Sequence, residues 1–435
     1  MSNPPFRPEL LSPAGSLKNM RYAFAYGADA VYAGQPRYSL RVRNNEFDHA
    51  NLAQGIREAR VLGKRFYVVV NIAPHNAKLK TFLDDLQPVI DMAPDALIMS
   101  DPGLIMLVRG RYPLMPIHLS VQANAVNWAS VAFWQGQGLE RVILSRELSL
   151  GEIEEIRTQV PDMELEVFVH GALCMAYSGR CLLSGYLNRR DPNQGACTNA
   201  CRWQYDVKAA GENELGEIVR VVEPTLGIGA PSEQVFVLED GERQMPVFED
   251  EHGTYIMNSR DLRAVQHVER LVKMGVHSLK IEGRTKSHYY CARTAQVYRQ
   301  AIDDAVAGRP FDRGLMGNLE SLASRGYTEG FLRRHVHDEY QNYAHGSSLS
   351  DRQQFVAELT GERRGDLAEV RVKNRFAVGD GLELMTPEGN LRFTLEHMEN
   401  KAGATVGVAP GDGHVVYLPV PPEVDLHFGL LMRDL

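Results

Sequence analysis

From residue 9 onward the chain alternates short apolar runs that end in small or polar residues with longer segments whose apolar positions recur at helical spacing. That rhythm is βα alternation. The runs that read as strands are Glu9 to Leu11, Ala30 to Tyr32, Phe66 to Asn71, Ala96 to Met99, Ile117 to Val121, Val142 to Leu144, Leu165 to Val169 and Ser278 to Ile281. Helices are predicted at Leu17 to Tyr26, Leu52 to Leu62, Leu79 to Ala93, Trp128 to Gly138 and Leu150 to Gln159, the last with Ser149 as N-cap. Eight strands suit a closed (β/α)8 TIM-like barrel, an α/β fold, over residues 1–345. An open doubly wound sheet is the alternative.

The barrel is preferred because polar or small residues follow nearly every strand: Ser12, Gly34, Asn71, Asp101, Gln122, Arg146, His170 and Glu282. In barrels the C-terminal strand ends build the active site. The plainer reading is that these are ordinary loop residues, since loops are polar anyway. Between about 205 and 253 the rhythm breaks into short β-like pieces, which reads as an insertion before the last barrel unit. A polar loop around His345 then leads to alternating strands and turns over 352–435 (VAELTGE, LAEVRVKN, GDGLELMTPEG, HVVYLPV), a small C-terminal antiparallel β-barrel domain.

The chain has 435 residues, 44% apolar and 23% charged, as an ordinary globular protein does. It contains no run of eighteen apolar residues, and its first residues carry no signal-peptide pattern, so it is expected to be cytoplasmic and not membrane-bound. The net charge of −8 argues against indiscriminate coating of nucleic acid but leaves room for a local basic patch.

Five cysteines without a secretory signal read as thiols or metal ligands. Four of them, Cys174, Cys181, Cys197 and Cys201, stand as Cys-x6-Cys-x15-Cys-x3-Cys just beyond the seventh predicted strand. Four thiolates are the usual complement of a 4Fe-4S cluster or a structural zinc. Zinc draws ligands from tight knuckles, which only the last pair resembles, so the cluster is preferred and zinc is the alternative. Burial as small hydrophobes is the bland reading, and the Gly, Asn, Asp and Arg of this segment speak against it. Cys291, on a helical stretch, is assigned to packing.

The stretch ELEVFVHGALCMAYSGRCLLSG, from Glu164 to Gly185, resembles the signature of the collagenase-like peptidase U32 family. The N-terminal PELLSPAGSLKNMRYAFAYGADAVYAG and the later SLKIEGRTKS are similar to it too, and the resemblance spans essentially the whole chain. It implies a 4Fe-4S cluster on Cys174, Cys181, Cys197 and Cys201, the fourth position varying among branches. It also implies RNA modification. One branch hydroxylates the wobble uridine of tRNA to 5-hydroxyuridine, the step towards 5-carboxymethoxyuridine, with prephenate required and without molecular oxygen. Other branches act on ribosomal RNA or hydroxylate ubiquinone.

Proteolysis is the rival that the family label raises. The chain has no His-Glu-x-x-His helix and no Gly-x-Ser-x-Gly elbow, and Ser12, Ser120 or Ser145 with His170 would be a chance pairing. A non-catalytic iron-sulfur scaffold for RNA hydroxylation is a further alternative.

Hydroxylating C5 of uracil is a redox step beyond ordinary side chains, which a cluster would serve. Prephenate, or a similar small dicarboxylate, needs fixed cations, and Arg pairs carboxylates in a bidentate manner. Arg146, Arg260, Lys280 and Arg284 are the candidates, with surface salt bridges as the plain reading, and Asn71 and Gln122 are candidate substrate contacts. Glu282 and His170 could act with Arg284 in orienting groups or moving protons.

For the tRNA anticodon loop, Arg37, Arg41 and Arg43 beside Tyr38, and Arg189, Arg190, Arg202 and Trp203 in the cysteine segment, offer phosphate contacts and stacking. A wobble base is already single-stranded, so splaying it out costs less than flipping it from a duplex. Arg363, Arg364, Lys373 and Arg375 are a second, weaker RNA candidate, with solvated charge preferred.

Overall fold

The computed structural model describes residues 6–40, 46–173, 206–212, 218–220, 235–240, 243–250, 253–254, 260–322, 326–333 and 352–435. Eight parallel strands form the first unit: β1 (Glu9–Pro13), β2 (Ala30–Gly34), β3 (Arg65–Val70), β4 (Ala96–Met99), β5 (Ile117–Leu119), β6 (Arg141–Ile143), β7 (Glu164–Ala172) and β8 (Ser278–Ile281). Each pairs with its neighbour in chain order, and β8 pairs with both β7 and β1, so the sheet closes. The predicted barrel is therefore the observed one, and the open-sheet alternative is excluded.

Helices follow the strands: α1 (Leu17–Ala25), α2 (His49–Val61), α3 (Phe82–Asp91), α4 (Pro102–Arg111), α5 (Trp128–Gly136), α6 (Leu150–Gln159), α7 (Val268–Lys273) and α8 (His288–Val306). Their starts are set by side-chain caps: Ser16, Asp48, Asp101, Asn127, Ser149 and Ser287 each accept from a backbone N–H of the first turn. Asp101 is thus a helix cap. Ser149 and Glu152 form a reciprocal capping box. The helix predicted from Leu79 to Ala93 is two, Asn76–Leu79 and α3, the second starting after Thr81, whose hydroxyl bonds Asp85 together with that of Tyr38.

Burial fixes which way the helices face. Leu52 and Ile56 of α2 pack under the sheet with Phe66 and Phe47, and each such side chain contributes about 1.5–3 kcal/mol relative to exposure. The strand Asp261–Arg263 returns antiparallel along β7, with Asp261 opposite Ala172 and Arg263 opposite His170. Between these paired residues the chain makes its excursion, whose described strands form one antiparallel sheet, Asp206–Glu212 and Val235–Asp240 at its centre.

The C-terminal strands are antiparallel, as predicted, in a seven-stranded sheet with the long strand Gln353–Arg364 at its middle and a core of its own. That unit docks on α1 and α8. Tyr26 donates to the Met385 and Phe428 carbonyls at 3.0 and 2.9 Å, and the fully buried Arg293 pairs with Glu383 at 2.9 Å. Glu358 takes Lys18 at 2.6 Å and His288 at 3.2 Å. No helix among the described residues is long and apolar enough to cross a membrane.

Candidate active site at the barrel mouth

A barrel of this size fills its interior with side chains, usually aliphatic ones. Here the lower interior is ionic. Glu9 accepts from Arg141 at 2.6 Å, Tyr67 at 2.6 Å and Ser278 at 3.0 Å. Arg141 also bonds Glu164 at 2.9 Å and Glu166 at 3.2 Å, and Lys280 donates to the other Glu166 oxygen at 2.8 Å. Three carboxylates thus meet Arg141, Lys280 and, at the rim, Arg65.

Burial works against the Glu9 carboxylate, but Arg141 and Tyr67 outweigh it and hold its pKa below the ordinary value. Burial likewise lowers the pKa of Lys280, against the pull of Glu166. His118, with Arg141 and Lys280 nearby, is pushed well down by burial and stays neutral.

Above this layer lies an aromatic floor. The Lys280 ammonium sits 4.2 Å from the Tyr32 ring centroid and 5.5 Å from that of Phe168. Arg146 stands 4.4 Å from the Phe168 centroid and donates to the Ala172 carbonyl. Arg284 stands 5.9 Å from the Tyr32 ring and donates to Leu40 O at 2.8 Å. The Tyr32 hydroxyl bonds the Ile281 carbonyl at 2.9 Å and lies 3.4 Å from the Glu282 carboxylate. Across the mouth, Asn71 donates to Gln122 at 2.8 Å and to Ser120 at 3.2 Å, and accepts from Leu40 N at 3.1 Å. The mouth is therefore an arc of two guanidinium groups, one carboxylate and two amides around buried rings.

The sequence-predicted residues divide accordingly. Asn71, Gln122, Arg146, Glu282 and Arg284 come together at the mouth. Lys280 does not reach it: at 4% exposure and bonded to Glu166, it supports the floor from below, because strand alternation at position 280 points inward. Arg260 lies off to one side, against Gly326.

His170 is turned away from the mouth. The β7–β8 register slips between Lys280 and Ile281, so Lys280 faces Phe168 while Ile281 faces His170, which places His170 outside the barrel wall. There it is 1% exposed among Tyr290, Tyr298 and Tyr327, and burial drives its pKa down to about 3. It is a neutral packing residue at pH 7, and the expectation that it serves the mouth in proton transfer is corrected.

The suggested serine and histidine pairs do not form either. Ser120 bonds Asn71 and Gln122, Ser145 bonds Glu147, and the buried Ser12 hydroxyl has no hydrogen-bond partner among the described residues.

Among the RNA candidates, Arg37 is exposed but paired with Asp85 at 2.6 Å. Tyr38 is fully buried, bonded to Asp85, and closed to base stacking, which corrects that expectation. Arg363 bonds the Val420, Pro421 and Val424 carbonyls, Arg364 pairs with Glu399, and Lys373 pairs with Asp412, so these three serve the C-terminal unit's own structure. Arg41, Arg43, Arg189, Arg190, Arg202, Trp203 and all four of Cys174, Cys181, Cys197 and Cys201 lie outside the described residues. Cys291 is the only cysteine among the described residues. It is buried against the Pro13 carbonyl with its thiol pushed up to about 12, an inert packing residue as predicted.

The floor residues Tyr32 and Phe168 and the ionic partners Arg141 and Glu166 escaped the sequence reading. Their signal was available: charges at alternate positions of strands otherwise buried on both faces, as in ELEVFVH, mark an interior that is not aliphatic.

Residues 15–342 match Peptidase family U32, and residues 351–433 match the Peptidase family U32 C-terminal domain. The chain is 74% identical over 440 residues to tRNA hydroxylation protein P of Escherichia coli (strain K12), covering 99% of this chain and 97% of that protein. It is 69% identical over 445 residues to the protein of the same name in Haemophilus influenzae (strain ATCC 51907 / DSM 11121 / KW20 / Rd), with the same coverage. A more distant relative, 28% identical over 93% of this chain and 57% of its own length, is the 23S rRNA 5-hydroxycytidine C2501 synthase of Escherichia coli (strain K12).

Proposed function

The chain belongs to peptidase family U32, and from that premise we propose that it hydroxylates tRNA: C5 of the wobble uridine, giving 5-hydroxyuridine, with prephenate required and without molecular oxygen. The observation that carries this reading is the 74% identity, over 99% of the chain, to a protein named for tRNA hydroxylation. The relative named for 5-hydroxycytidine synthesis favours position 5 of a pyrimidine as the target.

A 4Fe-4S cluster on Cys174, Cys181, Cys197 and Cys201 completes the proposal. The donor set fits: four thiols suit such a cluster, and the first of them, Cys174, follows directly on Leu173, where β7 leaves the barrel at its C-terminal end beside Arg146 and Phe168. No other grouping of His, Cys, Asp and Glu among the described residues could hold a metal. When bound, the cluster would supply the electron transfer that side chains cannot.

The chain's own residues bind and orient. Arg146 and Arg284, held over the two rings, offer guanidinium donors to the carboxylates of prephenate. Asn71 and Gln122, fixed by each other and by Ser120, present amides suited to the polar edge of a uracil. Glu282, beside the Tyr32 hydroxyl, is the titratable group placed to hold or accept a proton at the mouth. Glu166 and Lys280 keep the floor in place from below.

The test is anaerobically reconstituted protein with unmodified tRNA and prephenate, followed by nucleoside mass spectrometry. Formation of 5-hydroxyuridine without a partner protein supports an enzyme over a scaffold. Unchanged 5-hydroxyuridine derivatives in a deletion strain with no redundant enzyme refute the assignment. A colourless protein holding one zinc per chain refutes the cluster, and cleavage of denatured protein would revive the peptidase reading.

A further inference from the structure

Beside the mouth, where the β1–α1 and β8–α8 turns meet, lies a cleft of about 560 Å3 lined by Lys18, Glu46, Arg284, Thr285, Lys286 and His288 with the backbone around them. We infer that this cleft holds a phosphodiester group of the RNA backbone next to the nucleotide whose base enters the mouth. The inference deepens the tRNA reading and rests on it.

Charge comes first. Lys286 lines the cleft beside Arg284, whose guanidinium reaches over Tyr32, and beside Lys18, which pairs with Glu358 of the C-terminal unit at 2.6 Å, while Glu46 is the one carboxylate in the lining. Two helices of nine and nineteen residues also begin here, with Ser16 and Ser287 as their caps. Each cap satisfies one amide of its first turn, at 3.2 and 3.3 Å, and the helix dipoles add to the attraction for an anion.

The cleft is also rigidly built. Asn19, 8% exposed, donates from its amide to the Lys286 carbonyl at 2.9 Å and so ties α1 to the turn before α8. Gly15 lies so close to that turn that a β-carbon there would overlap the Arg284 carbonyl oxygen, and Glu46 N bonds Gly15 O at 3.0 Å. These contacts hold the walls without filling the space between them.

Position supplies the last step. Arg284 belongs to both places, with its guanidinium over Tyr32 at the mouth and its residue in the cleft wall. A nucleotide that sends its base into a pocket leaves its phosphates outside, at the rim, where Lys and helix N-termini position a strand without reading its sequence. A small dicarboxylate bound for the reaction itself would instead need the mouth, on the far side of Arg284.

Binding of bulk tRNA to the full-length reconstituted protein, measured across a salt series, tests this. Lys286→Gln should weaken binding about 5–10-fold and lower the slope of log affinity against log salt by about one, while leaving the KM for prephenate unchanged. Thr285→Asp puts a negative charge into the same space from an exposed position and should weaken binding too, which keeps the test open if the first variant folds poorly. Unchanged affinity and slope in both variants would overturn the inference, and so would a raised KM for prephenate with tRNA affinity intact, which assigns the cleft to the small anion. Failure of the unsubstituted protein to bind any tRNA would bring down the RNA reading, and this assignment with it.

Discussion

Replacing Glu166 by Gln removes a negative charge from a place that water does not reach. Its side chain is 0% exposed and is the only acceptor of Lys280 among the described residues, whereas Arg141 keeps Glu9 at 2.6 Å and Glu164 at 2.7 Å. The cost therefore falls on Lys280, left as a buried ammonium whose counter-charge is replaced by a neutral amide oxygen. Breaking a buried pair in this way costs about 3–5 kcal/mol. At roughly 2 °C per kcal/mol for a large domain, Tm falls by about 6–10 °C.

Lys280→Met on top of Glu166→Gln removes the stranded charge and should recover at least half of that loss, so the two changes are strongly non-additive. Burial holds the Lys280 pKa below its ordinary value, so above the folded pKa the native state carries fewer protons than the unfolded chain and stability rises with pH. The Glu166→Gln deficit should accordingly shrink in alkali. Thermal unfolding of the four proteins of the cycle at neutral and alkaline pH is the assay. A single variant within about 2 °C of the parent, or an additive double variant, would show that the ionic interior is not the constraint described.

Gly171 has φ of 108°, and a β-carbon on it would overlap the Glu282 carbonyl, so Gly171→Ala should cost about 1–3 kcal/mol in thermal unfolding and depress hydroxylation by displacing Glu282. Burial raises the Glu358 pKa, but the bonds from His288 and Lys18 outweigh it and lower it from 4.5 to about 2. Its contribution to docking the C-terminal unit is therefore present above pH 4.5 and lost as pH falls towards 2. Glu358→Gln should flatten that part of the Tm against pH curve, and an unaltered curve would contradict it. With its pKa near 3, His170 contributes no ionisation between pH 5 and 8. His170→Asn should lower Tm while leaving the shape of the activity profile over that range unchanged, and a limb that vanishes in the variant would reinstate His170 as a proton carrier.

Strand and helix placement was legible because a parallel barrel buries its strands on both faces, and runs such as Phe66 to Val70 show that directly. The polar residues at strand ends located the mouth for the same reason, and Asn71, Gln122, Arg146 and Glu282 are found there. Side-chain direction was not legible. Whether position 170 points in or out depends on one slip in the β7–β8 ladder, which leaves no trace in composition, and a slip of one residue reverses the face. Tyr38 resembled a stacking residue beside three arginines, yet its hydroxyl found Asp85 across a stretch of chain that local reading does not connect. Lys280 was recognised as important and placed one layer too high, because its partner Glu166 lies on a neighbouring strand far away in sequence.

Ala172 and Asp261 stand opposite each other in a ladder, so everything from Leu173 to Arg260 begins and ends at a single pinched neck on the barrel rim. Such a neck fixes the two ends of the intervening stretch against the eight strands, so the barrel constrains that stretch only where it leaves and where it returns. A change in the length or content of that stretch would therefore leave the register of the eight strands underneath as it is.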